Sequence, residues 1–113
     1  MATQIETGAC IRAEEGLTRA FSLLGKRWSG VVLGTLGPGP AGFRELSRAV
    51  DGVSDSVLSD RLSELTRAGL IARTVDEGPP VSVSYELTEA GRALIPALHQ
   101  LSAWAEEHLP AQS

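Results

Sequence analysis

Apolar residues recur at helical spacing through most of the chain. Leu17, Ala20, Phe21 and Leu24 share one face of a first helix, which Gly25 closes. A second helix is predicted over 26–36, with Trp28, Val31, Val32, Thr35 and Leu36 inward. Gly37-Pro38-Gly39-Pro40 ends it, because proline cannot donate the next helical hydrogen bond. A short third helix over 43–50 turns Phe43, Leu46 and Val50 inward, and Asp51-Gly52 is a turn signal. Ser54 is a good N-cap for a fourth helix over 54–68, with Asp55 where the helix dipole favours negative charge. Leu58, Leu62 and Leu65 form its apolar side, and Gly69 then offers a left-handed closing residue with Leu70 as the apolar contact behind it. From Leu70 the period changes to that of a strand. After the loop Asp76-Glu77-Gly78-Pro79-Pro80, Val81, Val83 and Tyr85 alternate with Ser82, Ser84 and Glu86, giving a second strand with one wet face. Thr88 caps a last long helix whose stripe holds Leu94, Leu98, Leu101 and Ala105, widened by Ile95, Ala97 and Trp104. Pro96 inside it predicts a kink.

Four helices, a hairpin and a fifth helix make a mainly α chain. Its third and fourth helices, over 43–68, meet at a short glycine-containing turn, as in a helix-turn-helix. A hairpin over 70–87 directly after that pair is a wing, so the expected architecture is a winged helix-turn-helix with a two-stranded wing. The chain 1–113 reads as one domain, with residues 1–14 as an N-terminal arm and 88–109 as a C-terminal helix. In such units the second helix of the pair enters the major groove and its first residues reach base edges. The outer side of the fourth helix carries Ser56, Ser59, Asp60, Ser63 and Arg67, small and polar enough to approach a duplex closely. Ser56 and Ser59 can donate to or accept from a base edge. Arg61 flanks the apolar stripe, within reach of a phosphate or a guanine. Asp60 repels phosphate unless it accepts from a cytosine amino group or orients Arg61. By periodicity alone the same pattern also describes a plain amphipathic surface helix.

Charge complicates this reading before it supports it. Of 113 residues 42% are hydrophobic and 21% charged, ordinary for a globular protein, but the net charge is −4. The distribution is uneven. Residues 12–73 hold nine basic and seven acidic side chains, a balance of +2, whereas residues 74–113 hold one and six, a balance of −5. Nine of the ten basic residues are arginine, which suits phosphate and base-edge contacts and equally a GC-rich genome. Acidic residues at positions 55, 60, 76 and 77 favour a competing reading, a winged helix used for protein contact or small-molecule binding with weak or no DNA binding. The single cysteine, Cys10, rules out an internal disulfide and a cysteine-cluster metal site. His99 and His108 lack a ligand pattern, His99 reading as packed or at an interface. No nucleophile motif or phosphate loop is present, so neither enzyme chemistry, a cofactor nor a metal is expected. No signal peptide or membrane span is visible, which points to the cytoplasm.

Five segments carry a resemblance: Gly25-Lys26-Arg27-Trp28-Ser29, Gly39 through Leu46, Val53-Ser54 with Leu58 through Leu65, Ala68 through Arg73, and Tyr85 through Leu94. In this order and spacing, over roughly residues 17–105, the chain resembles the HxlR-type family of bacterial winged helix-turn-helix transcription regulators. The resemblance implies a homodimer that binds double-stranded DNA at a promoter. Its first and last helices would build the dimer, with Leu94, Leu98, Leu101, Trp104 and Leu109 in the interface. A symmetric dimer implies a pseudo-palindromic operator. Carried over by position, Ser54, Ser56, Val57, Ser59, Asp60 and Arg61 become the recognition-helix residues. Lys26, Arg27 and Arg44 become phosphate contacts, the first two at a helix N-terminus. Arg73, Ser82 and Ser84 become wing residues, Arg73 suiting a structural salt bridge equally well. A small-molecule effector of unknown identity fits the same class. Two departures stand out. Ser82 replaces a basic wing residue common in the family, so the wing should attract phosphate less. Some members sense oxidants through an N-terminal cysteine about thirteen residues before the tryptophan. Here Glu15 holds that place, and Cys10, a candidate redox sensor, lies eighteen residues before Trp28.

Overall fold

A computed structural model describes residues 11–111. In chain order the elements are α1 (Glu15–Leu24), α2 (Ser29–Thr35), α3 (Phe43–Ala49), α4 (Asp55–Arg67), β1 (Ile71–Asp76), β2 (Ser82–Leu87) and α5 (Glu89–His108). One core joins them. Val32, Leu33 and Leu36 of the α2 segment meet Leu46 and Val50 around α3, Leu58, Leu62 and Leu65 of α4, Ile71 of β1 and Leu87 of β2, all buried. The fold is a winged helix-turn-helix, as the pattern predicts. The two strands pair antiparallel from Ile71 opposite Leu87 to Asp76 opposite Ser82.

Local chemistry fixes the ends of α4. Ser54 Oγ accepts from the Val57 N–H at 3.2 Å, and Asp55 occupies the first turn of α4. At the other end Gly69 is left-handed, with φ +84°. The Leu70 N–H reaches back to the Leu65 carbonyl and the Gly69 N–H to the Thr66 carbonyl, both at 3.0 Å, a Schellman closure. The chain then turns α5 back onto this closure. The Thr88 N–H donates to the Leu70 carbonyl at 3.0 Å. Thr88 Oγ1 donates to the Gly69 carbonyl at 2.6 Å while accepting from the Gly91 N–H at 3.2 Å. Gly91 is buried there because a Cβ would collide with the Leu70 carbonyl oxygen.

Several expectations need correction. The second helix begins at Ser29, not at residue 26, and Trp28 is its N-cap with a left-handed φ of 83°. Lys26 and Arg27 therefore sit in the α1–α2 turn and not at a helix N-terminus. The reason lies in packing: Ser29 is buried, and the Trp28 ring covers the helix-turn-helix turn, where a Cβ on Gly52 would lie 3.5 Å from its Cη2. In the same helix the buried stripe is rotated to Ser29, Val32, Leu33 and Leu36, so Leu33 joins the core and Val31 is 54% exposed. Gly25 ends α1 without left-handed geometry, at φ −72°. A glycine is needed because a Cβ would meet the Phe21 carbonyl oxygen. Ala41, directly after the proline-rich breaker, pairs with Tyr85 through two backbone bonds of 2.9 and 2.8 Å, so the segment leaving the breaker also borders the wing. His99 is exposed in the single chain and borders the groove between α2 and α5, and Pro96 lies inside α5.

Candidate nucleic-acid interface

α4 separates its two sides sharply. Leu58, Leu62 and Leu65 are buried, while Ser56, Ser59, Asp60, Ser63 and Arg67 are exposed. Ser54 is exposed and its hydroxyl lies 3.4 Å from that of Ser56, so the cap and the first outward serine adjoin. Val57 is half-buried and supplies the capped N–H, a structural part in forming this helix end. The short α3 in front is held by Glu45, whose carboxylate accepts from the Gly42 N–H at 2.8 Å. Behind the helix, the wing places Arg73 and Ser82 in the open and Ser84 half-buried.

The cations picked out in the sequence are not equally free. Glu64, on the inner flank of α4, gathers two of them. Lys26 Nζ lies 2.9 Å from its Oε2 and Arg61 Nε 3.2 Å from its Oε1. Arg61 is drawn in so far that its side chain is only 15% exposed, and its Nε–H finds no well-aligned acceptor. The Lys26 hydrogen bond holds the Glu64 carboxyl below the usual glutamate range. Partial burial opposes this and the Arg61 charge adds to it. Arg44 stands 3.9 Å from Asp55, both exposed. The Arg27 guanidinium covers the Trp28 ring at 4.7 Å from its centroid. By contrast, Arg67 and Arg73 have no carboxylate within ion-pair distance among the described residues. They line a cleft of about 400 Å³ between α4 and the wing, together with Ser59, Ser63, Thr66 and Tyr85. Arg67 was visible in the sequence as the continuation of the stripe through Ser59 and Ser63. The part played by Tyr85 was not visible, because it depends on the strand register that sets it opposite Arg73.

The opposite end of the molecule is apolar and open. α1 buries none of its residues, leaving Leu17 and Phe21 about half exposed. Leu94 and Leu98 of α5 pack on the core, whereas Leu101, Trp104 and Leu109 stay about half exposed. Between α2 and α5 runs a groove of about 400 Å³ floored by Gly30 and Gly34 and bordered by Val31, Leu98, Leu101 and Ala105. Cys10 lies outside the described residues. No helix among the described residues is long and apolar enough to cross a membrane.

A helix sealed on its leucine side and open on its serine side, preceded by a short helix and followed by a two-stranded wing, defines a winged helix-turn-helix DNA-binding protein. The chain belongs to the HxlR-like helix-turn-helix family, whose sequence model matches residues 23–113. It is 41% identical to the HTH-type transcriptional regulator YodB of Bacillus subtilis (strain 168) over 88 residues, 78% of this chain and 79% of that one. It is 39% identical to the uncharacterized regulator YvaP of the same organism over 89 residues, 79% of this chain and 82% of that protein. Among solved structures it is similar to the reduced form of YodB, with a TM-score of 0.77 and 35% identity. That match covers 90% of this chain and all of YodB. The family regulates transcription by binding DNA and is not enzymatic.

Proposed function

We propose that this chain acts as a homodimer that recognises a pseudo-palindromic promoter site, each protomer inserting α4 into a major groove. The observation that carries the reading is the exposed row Ser56, Ser59 and Ser63 on a helix whose other side is fully buried. Short hydroxyl side chains let the helix backbone approach base edges and can donate or accept there. Ser54 preorganises the helix end, and Asp60 selects against bases that offer it no donor.

Dimerisation rests on the uncovered apolar surface of α1 and α5. Leu17 and Phe21 of α1 and Leu101, Trp104 and Leu109 at the C-terminal end of α5 each stand about half exposed, large apolar side chains the fold leaves without a cover. The α2–α5 groove widens that surface, and a second copy is the occupant the two-fold reading requires. Two copies related by a two-fold axis place their recognition helices about one DNA turn apart.

The test is selection of duplexes from a random pool by the full chain. Enrichment of inverted half-sites spaced by about one helical turn, ~10 base pairs, is expected. The variant S56A/S59A should stay folded and lose preference for that site. Trp104→Glu should give monomers by sedimentation and lose operator affinity. Failure to enrich any sequence, or enrichment by a protein that stays monomeric, would overturn the proposal.

A further inference from the structure

We infer that the cleft between α4 and the wing, built from Ser59, Ser63, Thr66, Arg67, Arg73 and Tyr85, is the seat of a DNA backbone phosphodiester. The inference rests on the DNA-binding reading above and locates where its electrostatic attraction resides.

The cations of this face differ in how available they are to a phosphate. A guanidinium or ammonium already held by a carboxylate gains less from a phosphate, because the existing pair must be broken or shared. Lys26 and Arg61 share the Glu64 carboxylate, at 2.9 and 3.2 Å, and that carboxyl stays ionised. Arg44 faces Asp55 at 3.9 Å. Arg67 and Arg73 have no such partner among the described residues, and both are exposed. They line one concave space from two elements, the last turn of α4 and the first half of β1, with no carboxylate in its wall. The space is polar, offering hydroxyls from Ser59, Ser63 and Tyr85 besides the two charges, while the Thr66 hydroxyl already donates to the Leu62 carbonyl at 2.7 Å. Two guanidinium forks and neutral donors suit the tetrahedral oxygens of a phosphate.

Position adds to charge. Ser59, Ser63 and Arg67 succeed one another at four-residue intervals on the outer side of α4, in line with Ser56. A strand whose bases meet Ser56 and Ser59 continues toward the wing, and its backbone next reaches this cleft. The wing tip cannot play this part: it carries Asp76 and Glu77, and Ser82 stands where a basic residue would serve. The molecule therefore holds the backbone at the base of its wing and not at the tip.

The experiment is the salt dependence of binding to a random-sequence duplex, measured with the full chain. Counterion release makes the slope of log K against log salt about −0.9 per phosphate neutralised. R67Q/R73Q should flatten it by about 0.9 for each bound protomer, the share of one phosphate. The ratio of operator to random affinity should stay unchanged, since a phosphate contact carries no sequence information. R67K/R73K should restore the slope. Circular dichroism melting checks that all variants are folded.

An unchanged slope in the glutamine variant, with wild-type binding intact, would overturn the inference and leave the regulator reading standing. Loss of operator preference at an unchanged slope would mean that the cleft reads bases, and would overturn it too. A lysine pair as flat as the glutamine pair would place the loss in packing and would equally overturn it. If the wild type held no duplex at low salt, the regulator reading itself would fall, and the cleft with it.

Discussion

Gly91→Ala tests how the C-terminal helix is locked to the recognition unit. Gly91 is the third residue of α5, and its α-carbon faces the Schellman turn that closes α4. An added methyl would collide with the Leu70 carbonyl oxygen and come within 3.2 Å of Leu87 Cδ2. The colliding atom is backbone held by its own hydrogen bond from the Thr88 N–H, so it cannot swing aside as a side chain would. Relief requires α5 to back away from the Leu70 turn and the end of β2. Overpacking of this kind costs about 1–3 kcal/mol. Backing away also weakens the bonds from Thr88 to Leu70 and Gly69, of 3.0 and 2.6 Å, worth about 1 kcal/mol each. Against this, alanine gains at most ~1 kcal/mol of helix propensity over glycine. The net loss is about 2–4 kcal/mol. A domain of this size unfolds with an entropy that makes each kcal/mol worth ~4 °C, so the melting midpoint should fall by about 8–16 °C. Thermal unfolding followed at 222 nm, at fixed protein concentration, measures it. The control is Gly16→Ala in α1, where the methyl would find only the Glu14 carboxylate at 3.9 Å, and no loss is expected. A Gly91→Ala protein that melts with or above wild type would refute the locked contact.

The remaining predictions concern α4 and its clamp. Ser54→Ala removes the acceptor for the Val57 N–H and should destabilise the protein by about 1 kcal/mol in urea titration, while fraying the N-terminal end of α4. Glu64→Gln releases Lys26 and Arg61 from their shared carboxylate, so binding to random duplex should tighten and its salt slope steepen. The same variant has a pH signature. Because the folded-state pKa of Glu64 is lowered, its stabilisation is present above the ordinary glutamate range and lost as pH falls through the depressed value. Wild type and Glu64→Gln should therefore differ in stability near neutrality and converge in acid. A difference that grows on acidification would contradict the clamp.

Much of the fold was readable because several local signals agree at each boundary. Ser54, Gly69 and Thr88 each act in the structure as their residue types demand: a hydroxyl cap, a left-handed closure, and a second cap. The leucine stripe of α4 follows from a 3.6-residue period and is buried as drawn. Where the pattern misled, tertiary packing had overridden a local preference. Nothing in Lys26-Arg27-Trp28 forbids a helix, yet the indole is drawn over Gly52 and the backbone takes a left-handed turn to allow it. Val31 and Leu33 lie two residues apart, roughly 200° around a helix at ~100° per residue, and a seven-residue helix with mostly small and apolar residues leaves open which of the two sides faces the core. The candidate site was less legible than the fold. Which arginine is free depends on where Glu64 and Asp55 lie after folding, and i,i+3 proximity on one helix identifies only the Arg61 half of that arrangement.

These pairings bear on how an acidic protein holds DNA. The outer side of α4 offers Asp60 against Arg67, and the wing adds Arg73 near its base with Asp76 and Glu77 near its tip. Each protomer thus presents a face with little net positive charge, and the sequence-independent attraction it can generate is small. A regulator with many phosphate contacts can find DNA first and read it afterwards. One with few must draw a larger share of its affinity from base edges and from joining two half-sites. In the proposed dimer the second protomer would bind at an effective concentration set by the interface, and the gain would depend on the rigidity of that interface. The two surfaces of this molecule are complementary in that sense. Under the proposed dimer, the sparse charge on the serine side of α4 would make the open apolar surface of α1 and α5 a condition of operator binding, so that substitutions at Trp104 should act on DNA affinity through the loss of the partner.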